Sequence, residues 1–93
     1  MRFQRLDLNL LVALDALLTE RSVSLAAERI CLSQSATSSA LGRLRDYFGD
    51  ELLVVKGRQM VLTSRAEELV EPVRAVLEQI RTTISVSPPF DPA

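Results

Sequence analysis

Small hydroxyl side chains and arginines are concentrated in one stretch of the chain, LSQSATSSALGRLR, residues 32–45. Its apolar residues have helical spacing, and the opposite side presents a row of small residues at i, i+3, i+4 and i+7, namely Ser35, Ser38, Ser39 and Gly42. Short side chains let a helix enter a DNA major groove, about 12 Å wide, and hydroxyls can bond to base edges there. The stretch predicts base recognition, although such a face is also typical of an ordinary solvated surface.

Other polar residues of this helix fit the same chemistry. Gln34, in the first turn, can pair with adenine through two hydrogen bonds, and Arg43 and Arg45 can reach phosphate oxygens. The free N–H groups at the start of the helix can also bind phosphate. Arg43 and Arg45 have an alternative use, because they can improve solubility or form ion pairs with Asp46 or Asp50.

Composition excludes most catalytic chemistry. The 93 residues include no histidine and one cysteine, Cys31, so histidine acid–base catalysis, an internal disulfide and a zinc cluster are not expected. We therefore predict no enzyme activity, no metal and no cofactor. Cys31 lies among apolar neighbours, and we predict a buried side chain rather than a redox-sensing thiol.

Charge is divided unevenly along the chain. The net charge is −1, but residues 1–65 hold nine basic and seven acidic side chains, whereas residues 66–93 hold two and five. A local basic patch is what a phosphate backbone attracts, so the overall charge does not exclude DNA binding. No apolar run approaches the roughly 20 residues that span a bilayer, which predicts a cytoplasmic protein without a membrane partner.

Three short helices are predicted in the first half of the chain. The first begins after Asp7 as N-cap and ends near Glu20, and the second begins after Ser22 or Ser24. The third follows Ser33 as N-cap and ends at Gly49. Its inward side is predicted to comprise Ala36, Ala40, Leu41, Leu44 and Tyr47 or Phe48. The close succession of the second and third helices is typical of a helix-turn-helix.

A small hairpin follows, because LLVV and MVLT flank the polar link KGRQ. A hairpin directly after a helix-turn-helix is a wing, and its tip is predicted to carry Lys56 and Arg58. Ser64 and Glu67 then have the spacing of a capping box that opens a fourth helix. Pro72 predicts that this helix either starts late or bends.

The fourth helix carries a long apolar stripe. Residues 66–84 span about 28 Å at 1.5 Å per residue, which is longer than a small domain needs to cover. The stripe can pack on the first helix, but a two-fold dimer is the favoured interpretation. The predicted dimer contacts are Leu69, Val73, Val76, Leu77, Ile80 and Ile84.

The order of these pieces resembles the N-terminal DNA-binding domain of LysR-type transcriptional regulators. The resemblance covers roughly residues 6–84 and is carried by LDLNLLVALDALLTERSVSLAAERICLSQSATSSALGRLRDYFGDELL, the wing and LTSRAEEL. It implies a winged helix-turn-helix, a linker helix that dimerises antiparallel, and usually a C-terminal effector-binding domain with tetramer assembly. A small-molecule effector would then bind that further domain. LDLNLLV and EPVRAVL are similar to the branch that controls aromatic degradation or nodulation.

Residue roles follow from this resemblance by position. It implies that Gln34, Ser35 and Ser38 read bases, that Ser39 lies next outward, and that Ser24 contacts the DNA backbone.

Three positions at the expected DNA interface depart from the family pattern. The family's wing arginine falls at Val55, so Lys56 or Arg58 is expected to replace it. Ser35 stands where a proline is common, which predicts a changed base preference, and Arg65 adds a possible phosphate contact.

The sequence therefore predicts a mostly α protein. A winged helix-turn-helix of three helices and a two-stranded wing is expected over residues 1–63, a dimerisation and linker helix over 64–86, and a hinge over 87–93. The predicted function is sequence-specific binding of double-stranded DNA at an interrupted palindrome by a homodimer, with helix 34–48 in the major groove and wing 55–60 near the minor groove. The predicted DNA contacts are Ser24, Ser33, Gln34, Ser35, Ser38, Ser39, Arg43, Lys56, Arg58 and Arg65. A winged-helix module for protein–protein assembly is the alternative.

Overall fold

The computed structural model describes residues 6–85, in the order three helices, a two-stranded sheet and a long helix. The elements are α1 (Leu8–Glu20), α2 (Val23–Arg29), α3 (Gln34–Phe48), β1 (Leu53–Lys56), β2 (Gln59–Leu62) and α4 (Ser64–Ser85). This confirms the predicted winged helix-turn-helix followed by a long helix. The first five residues, residue 86 and the predicted hinge at 87–93 lie outside the described residues.

Side-chain caps define where the first three helices begin. Asp7, Ser22 and Ser33 each accept a hydrogen bond from a backbone N–H three residues later, at 2.8, 3.2 and 3.0 Å. Each bond satisfies a donor that has no partner inside its helix. Gly49 ends α3 in the left-handed conformation, and its N–H donates to the Arg45 carbonyl at 2.8 Å.

The hydrophobic core lies among α1, α3, the base of the wing and α4. Leu14 and Leu17 of α1 are almost fully buried beside Leu44 of α3. Ala26 of α2 is buried as well, and its small side chain lets a neighbouring helix approach closely. Aliphatic side chains thus build a single core that holds α3 against the rest of the domain.

The wing is a two-residue hairpin. Leu53 pairs with Leu62 and Lys56 with Gln59 in an antiparallel register, and Gly57 and Arg58 form the turn. Gly57 has φ 68° and Arg58 has no positive φ, which matches a turn with glycine at its first central position. Only Arg58 lies in the turn itself, because Lys56 is the last residue of β1.

Helix α4 begins differently from the prediction. Its N-cap is Thr63, whose Oγ1 accepts a hydrogen bond from the Ala66 N–H at 3.1 Å, so the predicted capping box at Ser64 and Glu67 is displaced by one residue. The helix then runs through Pro72, so the predicted late start was wrong. Proline has no N–H to donate to the carbonyl four residues earlier, but the apolar packing of α4 on the core offsets that loss.

Candidate nucleic-acid interface

The exposed face of α3 is made of small residues. Ser35, Ser38, Ser39 and Gly42 are all exposed, as their spacing predicted. A β-carbon added at Gly42 would meet nothing within 4 Å, so this face stands clear of the rest of the domain. Nothing in the described structure obstructs the approach of a large ligand to this row.

The inward side of α3 differs by one position from the prediction. Ala36 is exposed, and Thr37 is fully buried instead. Thr37 lies at i, i+4 and i+7 with Leu41 and Leu44, and its Oγ1 donates to the Ser33 carbonyl at 2.9 Å. Burial of this hydroxyl is inexpensive because the bond satisfies it. Helical spacing by itself places Thr37 on this side, but a pattern of apolar residues does not include a hydroxyl side chain.

The first turn of α3 offers backbone donors. The Ala36 N–H is taken by Ser33 Oγ and the Thr37 N–H by the Ser33 carbonyl. The N–H groups of Gln34 and Ser35 precede the first intrahelical donor, so they face outward at the positive end of the helix dipole. Ser33 itself serves as the cap, and its exposed Oγ lies 3.5 Å from that of Ser35.

The two arginines of α3 have different roles. Arg43 is exposed and makes no ion pair or hydrogen bond with the other residues of the range 6–85. Arg45 points away from this face, because its guanidinium donates to the carbonyls of Glu51 and Leu53, both at 2.8 Å. The prediction that Arg45 reaches a phosphate was therefore wrong, and its partner is Glu51 rather than Asp46 or Asp50.

Cations also surround α3 at the wing and at the start of α4. Lys56 and Arg58 are exposed at the end of the wing, and Val55 beside them is 72% exposed. Arg65 is exposed in the first turn of α4, with its guanidinium carbon 5.9 Å from the centre of the Phe48 ring at the end of α3. These charges lie on separate elements, and the fold presents them on surfaces that solvent reaches.

Helix α2 contributes exposed residues that adjoin α3 in the chain. Ser24 is exposed, and its Oγ lies 3.2 Å from that of Ser22. Cys31, between α2 and α3, is exposed and has φ 58°. The prediction that Cys31 is buried was wrong, because the left-handed turn at this position directs its side chain outward.

The apolar stripe of α4 divides into two parts. Val73 and Leu77 are buried at 6% and 8% exposure in the core of their own chain, and Leu69 packs partly against that core. Val73 and Leu77 therefore pack mainly within their own chain, where α1 lies against this part of the helix, and little of either side chain is left for the predicted contact with a second copy. Val76 and Ile84, by contrast, are 45% and 68% exposed.

The exposed part of the stripe forms a shallow groove of about 290 Å³ on α4. It is lined by Val76, Gln79, Ile80, Thr83 and Ile84. Val76 precedes the buried Leu77 by one residue and so lies on the adjacent side of the helix, and the other four residues follow Leu77 toward the carboxyl end. The groove is the surface of α4 that remains available for another apolar helix.

None of the helices in the described part of the chain has the length and apolarity needed to cross a membrane.

Comparison with known proteins gives one family. The model of the bacterial regulatory helix-turn-helix proteins of the lysR family matches residues 8–67. Nodulation protein D 2 of Bradyrhizobium diazoefficiens is 59% identical over all 93 residues, and so is nodulation protein D 1 of Mesorhizobium japonicum. The chain spans 28% and 30% of the lengths of these two relatives. The sequence analysis suggested a branch that controls either aromatic degradation or nodulation, and both of these relatives are named as nodulation proteins.

Solved structures share the fold. A probable transcriptional regulator from Pseudomonas aeruginosa matches with a TM-score of 0.81 and 45% identity, over 88% of this chain and 28% of that one. The BenM DBD, solved as a complex with catB site 1 DNA, also has a TM-score of 0.81, at 20% identity over 95% of this chain and 99% of that one. The second likeness shows the winged-helix fold alone.

Proposed function

The chain belongs to the lysR family of bacterial DNA-binding transcription regulators, and from that premise we propose that α3 reads the bases of double-stranded DNA in the major groove. The observation that carries this proposal is the row Ser35, Ser38, Ser39 and Gly42, which is exposed along α3 and leaves open space around Gly42. A helix with this face can lie close to base edges, where hydroxyls donate or accept hydrogen bonds. Gln34 is suited to adenine by the same geometry.

Phosphate contacts would orient α3 over its site. The outward N–H groups of Gln34 and Ser35 suit an anion at the start of the helix. Arg43 has no ion-pair partner among the described residues, so its guanidinium is available to a phosphate. Ser24 adds a hydroxyl from α2, and Arg65 a charge from α4. These groups bind the sugar-phosphate backbone without regard to sequence, so they set orientation and register while α3 supplies specificity.

The wing would reach the neighbouring minor groove. Arg58 occupies the turn and Lys56 the last strand position, and both are exposed. The minor groove has a negative potential that attracts arginine and lysine. We assign the main contact to Arg58 because the two-residue turn places it farther from the core than Lys56.

The occupant proposed for the groove on α4 is a second copy of the chain. Val76, Ile80 and Ile84 follow one another at i, i+4 and i+8, beside the side of the helix that Val73 and Leu77 bury, and the same surface on a partner would cover them about a two-fold axis. Such a dimer presents two copies of α3 to successive major grooves, so its site is an interrupted palindrome. A tetramer and a small-molecule effector enter only for a longer protein with an effector-binding domain.

We further propose that the chain acts in the cytoplasm, where bacterial DNA lies, and that it binds DNA without catalysing a reaction. The relatives are transcriptional regulators, which supports this assignment.

The test is selection of bound duplexes from a random pool, followed by titration of the selected site at two salt concentrations. An interrupted palindrome bound far more tightly than random DNA is the expected result. The variant Ser38→Ala with Ser39→Ala should lose affinity for the selected site more than for random DNA. Equal losses on both would argue against base reading by α3, and no enrichment for wild type would favour the protein-assembly module.

A further inference from the structure

One carboxylate joins the end of α3 to the start of α4. Asp50 Oδ2 accepts two hydrogen bonds, from the Leu52 N–H at 2.8 Å and from the Thr63 hydroxyl at 2.7 Å. The same Thr63 hydroxyl accepts from the Ala66 N–H and caps α4. Asp50 is therefore linked to the first turn of α4 through a single side chain. Hydrogen bonds that share one hydroxyl in this way polarise and strengthen each other.

Backbone bonds hold the same segment against α3. The Asp50 N–H donates to the Arg45 carbonyl at 3.2 Å, just beyond the Gly49 cap. The Arg45 guanidinium returns to this segment and donates to the carbonyls of Glu51 and Leu53. The Thr63 N–H donates to the Leu52 carbonyl at 3.0 Å. Residues 49–53 thus form a junction, tied to α3 on one side and to α4 on the other.

Backbone strain shows how firmly this junction is held. Leu52 has φ 65°, a left-handed conformation that is a true outlier for a bulky residue, and its side chain is only 1% exposed. Such a conformation persists only where the surroundings over-determine it. The hydrogen bonds of Asp50 and Thr63 provide that constraint together with burial of the leucine side chain.

Asp50 is well suited to remain ionised in this role. The Thr63 hydroxyl and then the Leu52 N–H lower the pKa of its carboxyl below the ordinary value, with a smaller contribution from the charge of Arg65. The ionised carboxylate accepts both hydrogen bonds on one oxygen.

We propose that Asp50 and Thr63 are a positioning pair that sets the direction of α4 relative to α3 and thereby the spacing between the two half-sites that the dimer reads. The spacing part rests on the proposed function. In a dimer formed through α4, the distance between the two copies of α3 depends on the angle between α3 and α4 within each chain. Apolar packing of α4 on α1 is not directional, and the polar contact of Arg74 with Thr19 is exposed and long at 3.3 Å, whereas the hydrogen bonds at the junction are short and directional.

Leverage makes this angle important. The 22 residues of α4 extend about 33 Å at 1.5 Å per residue. A rotation of about 10° at the junction would move the far end of such a helix by roughly 6 Å, which exceeds the 3.4 Å rise of one base pair. A small change in the junction is therefore enough to change the preferred spacing.

The first experiment needs no DNA. Spin labels are attached to cysteines at the exposed positions Asp46 and Thr82, in a Cys31→Ser background, and labelled chains are diluted with unlabelled ones. Thr63→Val removes the shared hydroxyl at nearly constant shape and should broaden the distance distribution between α3 and α4. Thr63→Ser keeps the hydroxyl and should restore the wild-type distribution. An unchanged distribution in Thr63→Val overturns the positioning pair.

Asp50 is tested in the same way. Asp50→Ala removes the acceptor and should broaden the distribution like Thr63→Val, whereas Asp50→Asn keeps an oxygen acceptor and should not. Asp7→Ala is the matched control, because it removes the N-cap of α1 at a similar cost to stability and leaves the junction intact. Equal broadening in Asp7→Ala would mean that general loosening, rather than the junction, controls the distance.

The second experiment measures affinity for palindromes whose central spacer varies one base pair at a time. Wild type should prefer one spacing, and in Thr63→Val the ratio of affinities for the preferred and the next spacing should fall towards 1. A uniform loss at every spacing with the ratio unchanged overturns the control of spacing. If the wild-type chain binds no duplex, both the proposed function and the control of spacing are overturned. The distances between the spin labels then still test whether Asp50 and Thr63 set the direction of α4 relative to α3.

Discussion

Replacement of Gly42 by alanine should stabilise the chain and weaken its binding to DNA. Gly42 lies in the middle of α3 with a helical φ, and an added β-carbon meets nothing within 4 Å, so alanine fits the free protein without strain. Glycine costs about 1 kcal/mol relative to alanine in a helix interior. The free energy of unfolding should therefore rise by about 1 kcal/mol, which corresponds to an increase in Tm of roughly 4–8 °C for a domain of this size.

Affinity should change in the opposite direction. If α3 lies in the major groove, the new methyl group projects from the face that approaches the bases. Overpacking of a tight contact costs about 1–3 kcal/mol, or roughly 5- to 150-fold in Kd. Loss of folded protein cannot explain such a loss, because the variant is more stable than wild type.

The assay is a pair of measurements on one preparation: urea unfolding, and titration of the selected duplex and a random duplex by fluorescence anisotropy. Thr82→Ala is the control, because it replaces an exposed residue of α4 with a better helix former at no change in charge. It should raise stability by about half a kcal/mol and leave affinity unchanged. A stabilised Gly42→Ala chain that binds the selected site as tightly as wild type would refute the close approach of α3 to DNA.

Three further predictions concern other parts of the molecule. Arg43→Ala should make the slope of log affinity against log salt shallower by about 0.9, one phosphate contact, whereas Arg74→Ala, whose side chain contacts α1, should not change it. Ile80→Asp should give a folded monomer in sedimentation, because the charge enters the exposed groove. Val73→Asp should instead unfold the chain, because it buries an unpaired charge. An Ile80→Asp chain that is folded and still dimeric would contradict the proposed interface. The pKa of Asp50 is lower in the folded chain than in the unfolded chain. The carboxylate therefore contributes its full stabilisation above the unfolded-state pKa of about 3.9 and loses it as pH falls through the lower folded-state pKa. The free energy of unfolding, measured in urea below pH 4, should show this loss in wild type and not in Asp50→Ala.

Much of the fold was predictable because its signals are local. Asp7 and Ser33 were identifiable as N-caps and Gly49 as a C-cap, since a cap depends on a few neighbouring residues. The hairpin followed from two β-rich runs around a glycine. The α4 cap was displaced by one residue because Thr63 and Ser64 are both suitable caps. In the folded chain Ala66 is fully buried, and its N–H donates to Thr63 Oγ1, so Thr63 is the cap.

The interface residues were predictable in part. The small outward face of α3 followed from helical spacing, which fixes the side on which Ser35, Ser38 and Ser39 lie. Arg45 was misassigned because its partners, the carbonyls of Glu51 and Leu53, belong to a segment that folds back on α3. Charge alone does not distinguish an arginine that faces DNA from one that supports a turn.

The sequence by itself determined the order of the elements, the ends of the first and third helices and the small polar face of α3, since each depends on residues within one or two helical turns. Only the tertiary structure decided which part of the α4 stripe remains exposed, because burial of Val73 and Leu77 depends on how far α1 extends along α4. The junction through Asp50 and Thr63 was decided in the same way. Its two members are 13 residues apart and meet only when the wing closes, so no local pattern records the hydrogen bond between them.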